Sequence, residues 1–276
     1  MKQQEEKLLS LLEAEIDPAF KQRAQFIFKQ ILKYRPISVL DIGCGRGYYT
    51  NALANLSFVK KIVGLESEQK NLYIAEQNKP NQKVEYIKKD FYQWQTPQKF
   101  DIIILSEVLE HLADEEFALK KIFALLKADG KLLISVPHLK FPFCWDPLNY
   151  FLMKQGTHVR SDWWWLAGIW ADHKRLYKKD QLIALLNKQG FKKVAIKETI
   201  SFCWPFSHFI LYGIGKNLTL KISFLPFNRF SHRSGFLTQL LAKFFLFPDK
   251  FFSKFIDRQR FVGLVGVFKK RKHPFI

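Results

Sequence analysis

One turn constrains the fold of this 276-residue chain more than any other feature of it. An apolar run, Ile37 to Asp41, leads into Gly43-Cys44-Gly45-Arg46-Gly47, and a helix-forming stretch starts directly after it. Glycine accepts left-handed backbone and lets N–H groups approach a ligand with no Cβ in the way. A strand, a glycine-rich turn and a helix in that order open a doubly wound α/β sheet. The spacing is G-x-G-x-G, because Tyr48 stands where a dinucleotide fingerprint needs its third glycine.

The rest of the chain keeps the same rhythm. Short apolar runs at 37–41, 61–65, 84–88, 101–105, 131–136, 191–196 and 261–268 read as strands, with helical stretches between them, clearest at 107–127 and 179–189. Residues 2–34 read as N-terminal helices, with Leu8, Leu9, Leu11, Leu12 and Ile16 as an apolar stripe and Asp17-Pro18 opening the second helix. Two intervals break the alternation, about 138–177 and about 200–260, and no internal repeat is present. The expected organisation is therefore helices over 1–34, a sheet domain over 35–200, a hydrophobic basic insertion over 201–260, and a closing strand with a basic tail over 261–276.

Further motifs follow in order. VGLES ends the second strand at Glu66 and Ser67, KKDFY places Asp90 and Phe91 after the third, and FDIIILSEVLEHL carries Ser106 at the end of the fourth. LLKADGKLLISVPH and HKRLYKKDQLIALLNKQGFKKV continue the series. Together these resemble the class I S-adenosylmethionine-dependent methyltransferases, in particular the type-11 and ubiquinone-pathway-like group, over roughly 35–200 plus 261–270. The resemblance implies an α/β fold, a seven-stranded, doubly wound, Rossmann-like methyltransferase sheet, to which the residues of the two intervals add an aromatic lid insertion and a C-terminal basic, Phe-rich insertion. It also implies S-adenosylmethionine as cofactor, held by Asp41, Gly43, Cys44, Gly45, Gly47, Glu66, Ser67, Asp90, Phe91 and Ser106. Each carboxylate alone is as readily a turn residue or a solvated strand end. Three at successive strand ends are better explained by one ligand in the crevice where such sheets bind.

The sulfonium cofactor brings its own electrophile, so the chain has to align a nucleophile with the methyl group. Glu107, Glu110 and His111 are spaced to share one helical face, and His173 follows the lid. This set resembles the metal-binding residues of small-RNA 2′-O-methyltransferases and of ubiquinone-pathway O-methyltransferases, which implies a divalent metal on Glu107, Glu110, His111 and His173. Acidic residues at a helix start also suit the helix dipole with no metal at all. Without one, His111, His173 and Glu107 remain candidate catalytic acid–base groups. His138 stands in VPH where many relatives carry VPN.

Charge and aromatic content bear on the partner. The chain carries 44 Lys and Arg against 25 Asp and Glu, for a net charge of +19. Residues 201–276 alone hold thirteen basic residues, two acidic ones and sixteen of the 28 Phe. Charge without apolar residues suits nucleic acid, and Phe without charge suits a core. Interleaved, they suit an anionic membrane surface, with Lys216, Lys221, Arg229, Arg233, Lys243, Lys250 and Lys254 near headgroups. The charge-free run 199–215 is short of a span of about 20 residues. The lid, with Trp163, Trp164, Trp165 and Trp170, suits a large apolar acceptor or stacking on bases. Three dispersed cysteines write no disulfide framework, and the acidic start carries no export signal. The expectation is a cytoplasmic enzyme, peripheral on the inner face of a membrane, that O-methylates a lipid-linked or isoprenoid acceptor. An RNA 2′-O-methyltransferase-like enzyme and a non-catalytic membrane-binding scaffold are the alternatives.

Overall fold

The computed structural model describes residues 2–13, 15–163, 166–211, 236–252 and 259–271. Trp164, Trp165, Lys216, Lys221, Arg229, Arg233 and Lys254, expected in the lid and the membrane-facing insertion, lie outside them. Among the described residues, α1 (Lys2–Ser10) and α2 (Pro18–Tyr34) precede β1 (Ser38–Ile42), α3 (Tyr48–Ala54), β2 (Lys61–Glu66), α4 (Gln69–Gln77) and β3 (Val84–Lys88). Then come β4 (Phe100–Ser106), α5 (Glu115–Leu125), β5 (Leu126–Pro137), α6 (Pro147–Lys154), α7 (Lys179–Lys188) and β6 (Phe191–Thr199). The series ends with α8 (Phe236–Phe252) and β7 (Gly263–Lys270).

All seven strands fall where the apolar runs predict them, and they join one sheet in the order β3-β2-β1-β4-β5-β7-β6. The first five are parallel, and β7 runs antiparallel between β5 and β6. The order turns back between β1 and β4, which opens a crevice at the carboxyl ends of these strands. Alternation along each strand divides the core in two. Leu40, Ile103 and Leu105 pack with Leu119 and Ile122 of α5 and Leu182 of α7. Val39, Ile102 and Ile104 pack on the opposite face with Phe20, Ile27 and Phe28 of α2 and Leu53 of α3. α2 starts as the sequence predicts: the Asp17 carboxylate accepts from Ala19 N and Phe20 N, and Pro18 sits at the first position, where no donor is needed.

The predicted helix over 107–127 is corrected. Glu107 has left-handed backbone (φ 55°), Leu109–His111 form a single 3-10 turn, and α5 begins only at Glu115, capped by Asp114 accepting from Phe117 N at 2.9 Å. Residues 126 and 127 belong to β5. An α-helix cannot run through a left-handed residue, so Glu107 and Glu110 do not share a helix face.

A third apolar cluster lies around α6 and the segment after β6. Phe141, Cys144, Trp145, Ile169 and Trp170 pack with Leu176, Ile200, Cys203 and Val262, and with Ala19 of α2. Of the tryptophans expected in a lid, Trp170 is buried and Trp163 exposed. α8 turns part of its apolar surface outward. Leu240, Phe244, Phe247 and Phe251 are each about half exposed, on the face opposite Ala242, Phe245 and Leu246. Pro248 removes the donor that the Phe244 carbonyl would meet, and the Trp204 indole N–H donates to that carbonyl at 2.9 Å while its ring stacks on Phe244.

Candidate functional site

The glycine turn closes the carboxyl end of β1. Gly43 N and Cys44 N both donate to Leu65 O, which ties the turn to the end of β2. Gly45 has φ 55°, and a Cβ there would meet nothing within 4 Å. The left-handed backbone demands glycine, and the space beside it is open. Gly47, at φ 79°, is required by packing as well, since a Cβ would run into the Tyr86 hydroxyl.

Glu66 is held toward this turn. Its carboxylate accepts from Gly45 N at 2.8 Å through Oε2 and from Glu68 N at 2.9 Å through Oε1. A carboxylate immobilised by two backbone donors at the end of β2 is poised to accept from vicinal hydroxyls. Ser67 beside it is exposed. Asp41 has a different task. It is buried beneath the turn, accepting from Thr50 Oγ1 of α3 at 2.7 Å, and burial, with the nearby Glu66 charge adding, raises its pKa to about 7 against the pull of the Thr50 bond. Burial also pushes the Cys44 thiol well up, so that sulfur packs as a neutral group.

Asp90 is exposed and accepts from Tyr92 N at 2.6 Å, while Phe91 is buried with the Lys121 ammonium over its ring. Ser106 shares a hydrogen bond with Ser135 Oγ at 3.0 Å across β4 and β5. The predicted cofactor residues thus fall on the carboxyl ends of four adjacent strands, β3-β2-β1-β4.

A second constellation adjoins the turn. A Cβ on Gly43 would lie 2.5 Å from Val108, so the segment after β4 abuts the glycine turn. From that segment Glu110 points inward. It is fully buried, and neither carboxylate oxygen has a hydrogen-bond partner among the described residues. Burial, then the Glu107 charge, raises its pKa well above the ordinary carboxylate range. His111 Nε2 and His173 Nε2 lie 3.8 and 3.9 Å from Glu110 Oε1, too far for hydrogen bonds. The other nitrogen of each ring meets a carbonyl: His111 Nδ1 with Asp172 O at 2.9 Å, His173 Nδ1 with Ile169 O at 2.6 Å. A carbonyl only accepts, so each Nδ1 carries a proton, and in the neutral ring that leaves Nε2, the atom nearer Glu110, with the lone pair. Burial, with His111 adding, lowers the His173 pKa to about 4, so this ring is neutral near physiological pH. Ligand atoms of Glu110, His111 and His173 lie within 4.8 Å of one another. Two imidazole lone pairs and an unpartnered carboxylate suit one divalent cation.

Glu107, expected in the same set, is not among these converging groups. Its left-handed backbone turns it to Arg23 of α2, whose Nη1 lies 3.2 Å from Glu107 Oε1. No local pattern signals this pairing, nor the role of Arg175, which donates to Leu112 O and Ala113 O and so holds the turn that presents Glu110 and His111. Periodicity in α2 was the available signal for Arg23, which lies on the same side as the buried Phe20, Ala24 and Ile27. His138 is buried after β5, its Nδ1 accepting from Lys140 N, and burial lowers its pKa.

Residues 12–196 match the model of a methyltransferase domain family. The chain belongs to that family, within the S-adenosylmethionine-dependent class I superfamily. Its relatives include ubiquinone biosynthesis O-methyltransferases. That of Bradyrhizobium diazoefficiens is 26% identical over 174 residues, covering 60% of this chain and 66% of the relative. That of Pelagibacter ubique is 32% identical over 101 residues, covering 36% and 41%. The mitochondrial enzyme of Bos taurus is 32% identical over 116 residues, covering 37% and 30%. The matched part spans less than two thirds of each of these relatives. Among solved structures, the [4+2]-cyclase SpnF superposes with a TM-score of 0.55 at 16% identity, over 93% of this chain and 85% of that one. The plantazolicin methyltransferase BpumL, in complex with a triazolic desmethylPZN analog and SAH, gives 0.50 at 15% identity, over 96% and 86%. These two likenesses establish the fold, and the family establishes S-adenosylmethionine as the cofactor.

Proposed function

We propose that this protein transfers a methyl group from S-adenosylmethionine to a hydroxyl of a hydrophobic, lipid-linked or isoprenoid acceptor at a membrane surface. The observation that carries the reading is the convergence of the half-buried His111 and His173 on the buried Glu110, beside the glycine turn. A hydroxyl is a poor nucleophile near neutral pH, and a site for O-methylation has to lower its pKa or take its proton. Glu110, His111 and His173 would hold a divalent cation, which when bound acts as a Lewis acid on a hydroxyl oxygen. The Nδ1 contacts to Asp172 O and Ile169 O fix both rings for that task. The same orientation leaves the His111 and His173 Nε2 atoms able to accept an acceptor proton directly. Glu66 is held to receive the ribose hydroxyls, and the open face at Gly45 leaves room for the cofactor.

The outward apolar face of α8 supports the membrane part of the reading. Lys243 and Lys250 are exposed on the same helix as Phe244, Phe247 and Phe251, a pattern that suits an anionic interface. No helix among the described residues is long and apolar enough to cross a membrane. The net charge of +19 favours RNA as a second reading. Comparing lipids from cells with and without the protein by mass spectrometry tests the proposal. A hydroxylated lipid about 14 Da lighter should accumulate in the cells that lack the protein, the mass of one added methylene unit. An unchanged lipid profile together with a missing 2′-O-methyl mark in RNA would favour the second reading.

A further inference from the structure

Cys144 and Cys203 lie outside the site described above, and both thiols are free. Their sulfurs are 3.2 Å apart, the Cys203 thiol donating to Cys144 Sγ, and the Cys203 backbone N–H donates to the same sulfur at 3.4 Å. Two donors on one sulfur favour its thiolate, so the Cys144 pKa is lowered, chiefly by the Cys203 thiol. Burial pushes the Cys203 thiol up. The pair is therefore unequal, with one sulfur prepared as nucleophile and the other retaining its proton until it is needed.

Their placement adds to the contacts between the segment before α6 and the segment after β6. Cys144 lies between β5 and α6, two residues before Asp146, whose carboxylate caps α6 at Asn149 N and also accepts from Ile169 N. Cys203 follows β6, adjacent to Ser201 and Phe202, whose backbone N–H groups donate to Asp249 of α8. A bond between these sulfurs would fasten the lid to the segment that anchors α8.

We propose that Cys144 and Cys203 are a reversible redox-modification site at which a small hydroperoxide converts the thiol pair to a disulfide. The Cys144 sulfur attacks one peroxide oxygen and the O–O bond breaks, giving a Cys144 sulfenic acid and, for hydrogen peroxide, one water. The Cys203 sulfur then attacks the Cys144 sulfur, the S–O bond breaks, and the Cys203 proton leaves with the hydroxyl as a second water. Two electrons pass from the thiols to the peroxide, and two thiols plus one peroxide become one disulfide plus two waters. A small oxidant is required because Cys144 is 7% exposed and Cys203 0%. A dithiol reductant reverses the step by exchange.

The test treats the folded, reduced full chain with a modest excess of hydrogen peroxide and follows intact mass and non-reducing peptide maps. The expected product is about 2 Da lighter, links the Cys144 and Cys203 peptides, and returns to the starting mass with dithiothreitol. Closing a loop of 59 residues also constrains the unfolded chain, so the oxidised form should melt roughly 5 °C or more above the reduced form. In Cys203→Ser the reaction should stop at a Cys144 sulfenic acid that dimedone traps, with no mass loss of the disulfide kind. The proposal is overturned if the wild-type thiols stay free, if Cys144 accumulates sulfinic acid without forming the link, or if the link joins Cys44. Should Cys203→Ser fail to fold, the wild-type peptide map alone decides.

Discussion

Asp41→Asn should make the protein more stable, and more so as pH rises. The wild-type carboxyl is buried under the glycine turn with Thr50 as its hydrogen-bond donor, and its pKa stands at about 7 against an ordinary 3.8. Protonated Asp41 is thus favoured in the folded chain. Between these two values the folded state holds more protons than the unfolded state, so this residue's contribution to stability falls as pH rises and levels off above about 7. At about 1.4 kcal/mol per pKa unit, the full effect is roughly 4 kcal/mol before structural relaxation reduces it. Asparagine keeps an acceptor for Thr50 and carries no charge to bury. Urea denaturation of both proteins, without cofactor, should show the asparagine variant ahead by a margin that widens by about 2 kcal/mol between about pH 5 and about pH 8. Taking the difference removes the titrations of His173, which runs the opposite way, and of Glu110, which runs the same way. A margin that stays constant, or narrows with pH, refutes the reasoning.

Other outcomes follow from the same geometry. Glu66→Ala should weaken S-adenosylmethionine binding by roughly 1–3 kcal/mol in calorimetry, the scale of hydrogen bonds to a charged group. Gly45→Val should weaken it further, because φ 55° is strained for a β-branched residue and its side chain enters the open ligand space. Mn²⁺ or Zn²⁺ should bind with a stoichiometry near one, with at least about tenfold lower affinity in His173→Ala, the scale of losing a metal ligand or its orienting partner. Full activity in excess EDTA would remove the metal and leave the histidines as bases. Leu240→Ser with Phe247→Ser should cut flotation with anionic liposomes several-fold at little cost in folding, since both side chains are about half exposed. Complete release of the wild type by salt alone would contradict that docking mode.

The sheet was readable because each strand is a short apolar run whose alternating residues face two helical layers. Val39 and Leu40 already point to opposite cores. The start of α2 was readable because Asp17 and Pro18 act within one turn. The glycine turn and Glu66 were readable for the same reason: their conformations are dictated locally, or by one neighbouring strand end. The segment after β4 was misjudged, because its 3-10 turn is held by Arg175, more than sixty residues along the chain. Spacing alone put Glu107 with Glu110 and His111, whereas its left-handed backbone delivers it to Arg23. Asp41 looked like a ligand-facing carboxylate, and only burial reveals that it holds α3 through Thr50. The thiol pair was invisible for the same reason as Arg175, since sequence carries no record of which distant residues a fold brings within 3.2 Å.

Transfer of labelled methyl from S-adenosylmethionine to defined fractions tests the central claim most directly. Purified protein would be incubated with the labelled cofactor, a divalent metal, and either a total lipid extract in anionic vesicles or total RNA. Label should enter the organic phase as a methyl ether on a hydroxylated lipid, and Glu66→Ala and His173→Ala should each reduce it at least about tenfold. Label that enters RNA alone, or neither fraction while the cofactor binds normally, would contradict the account.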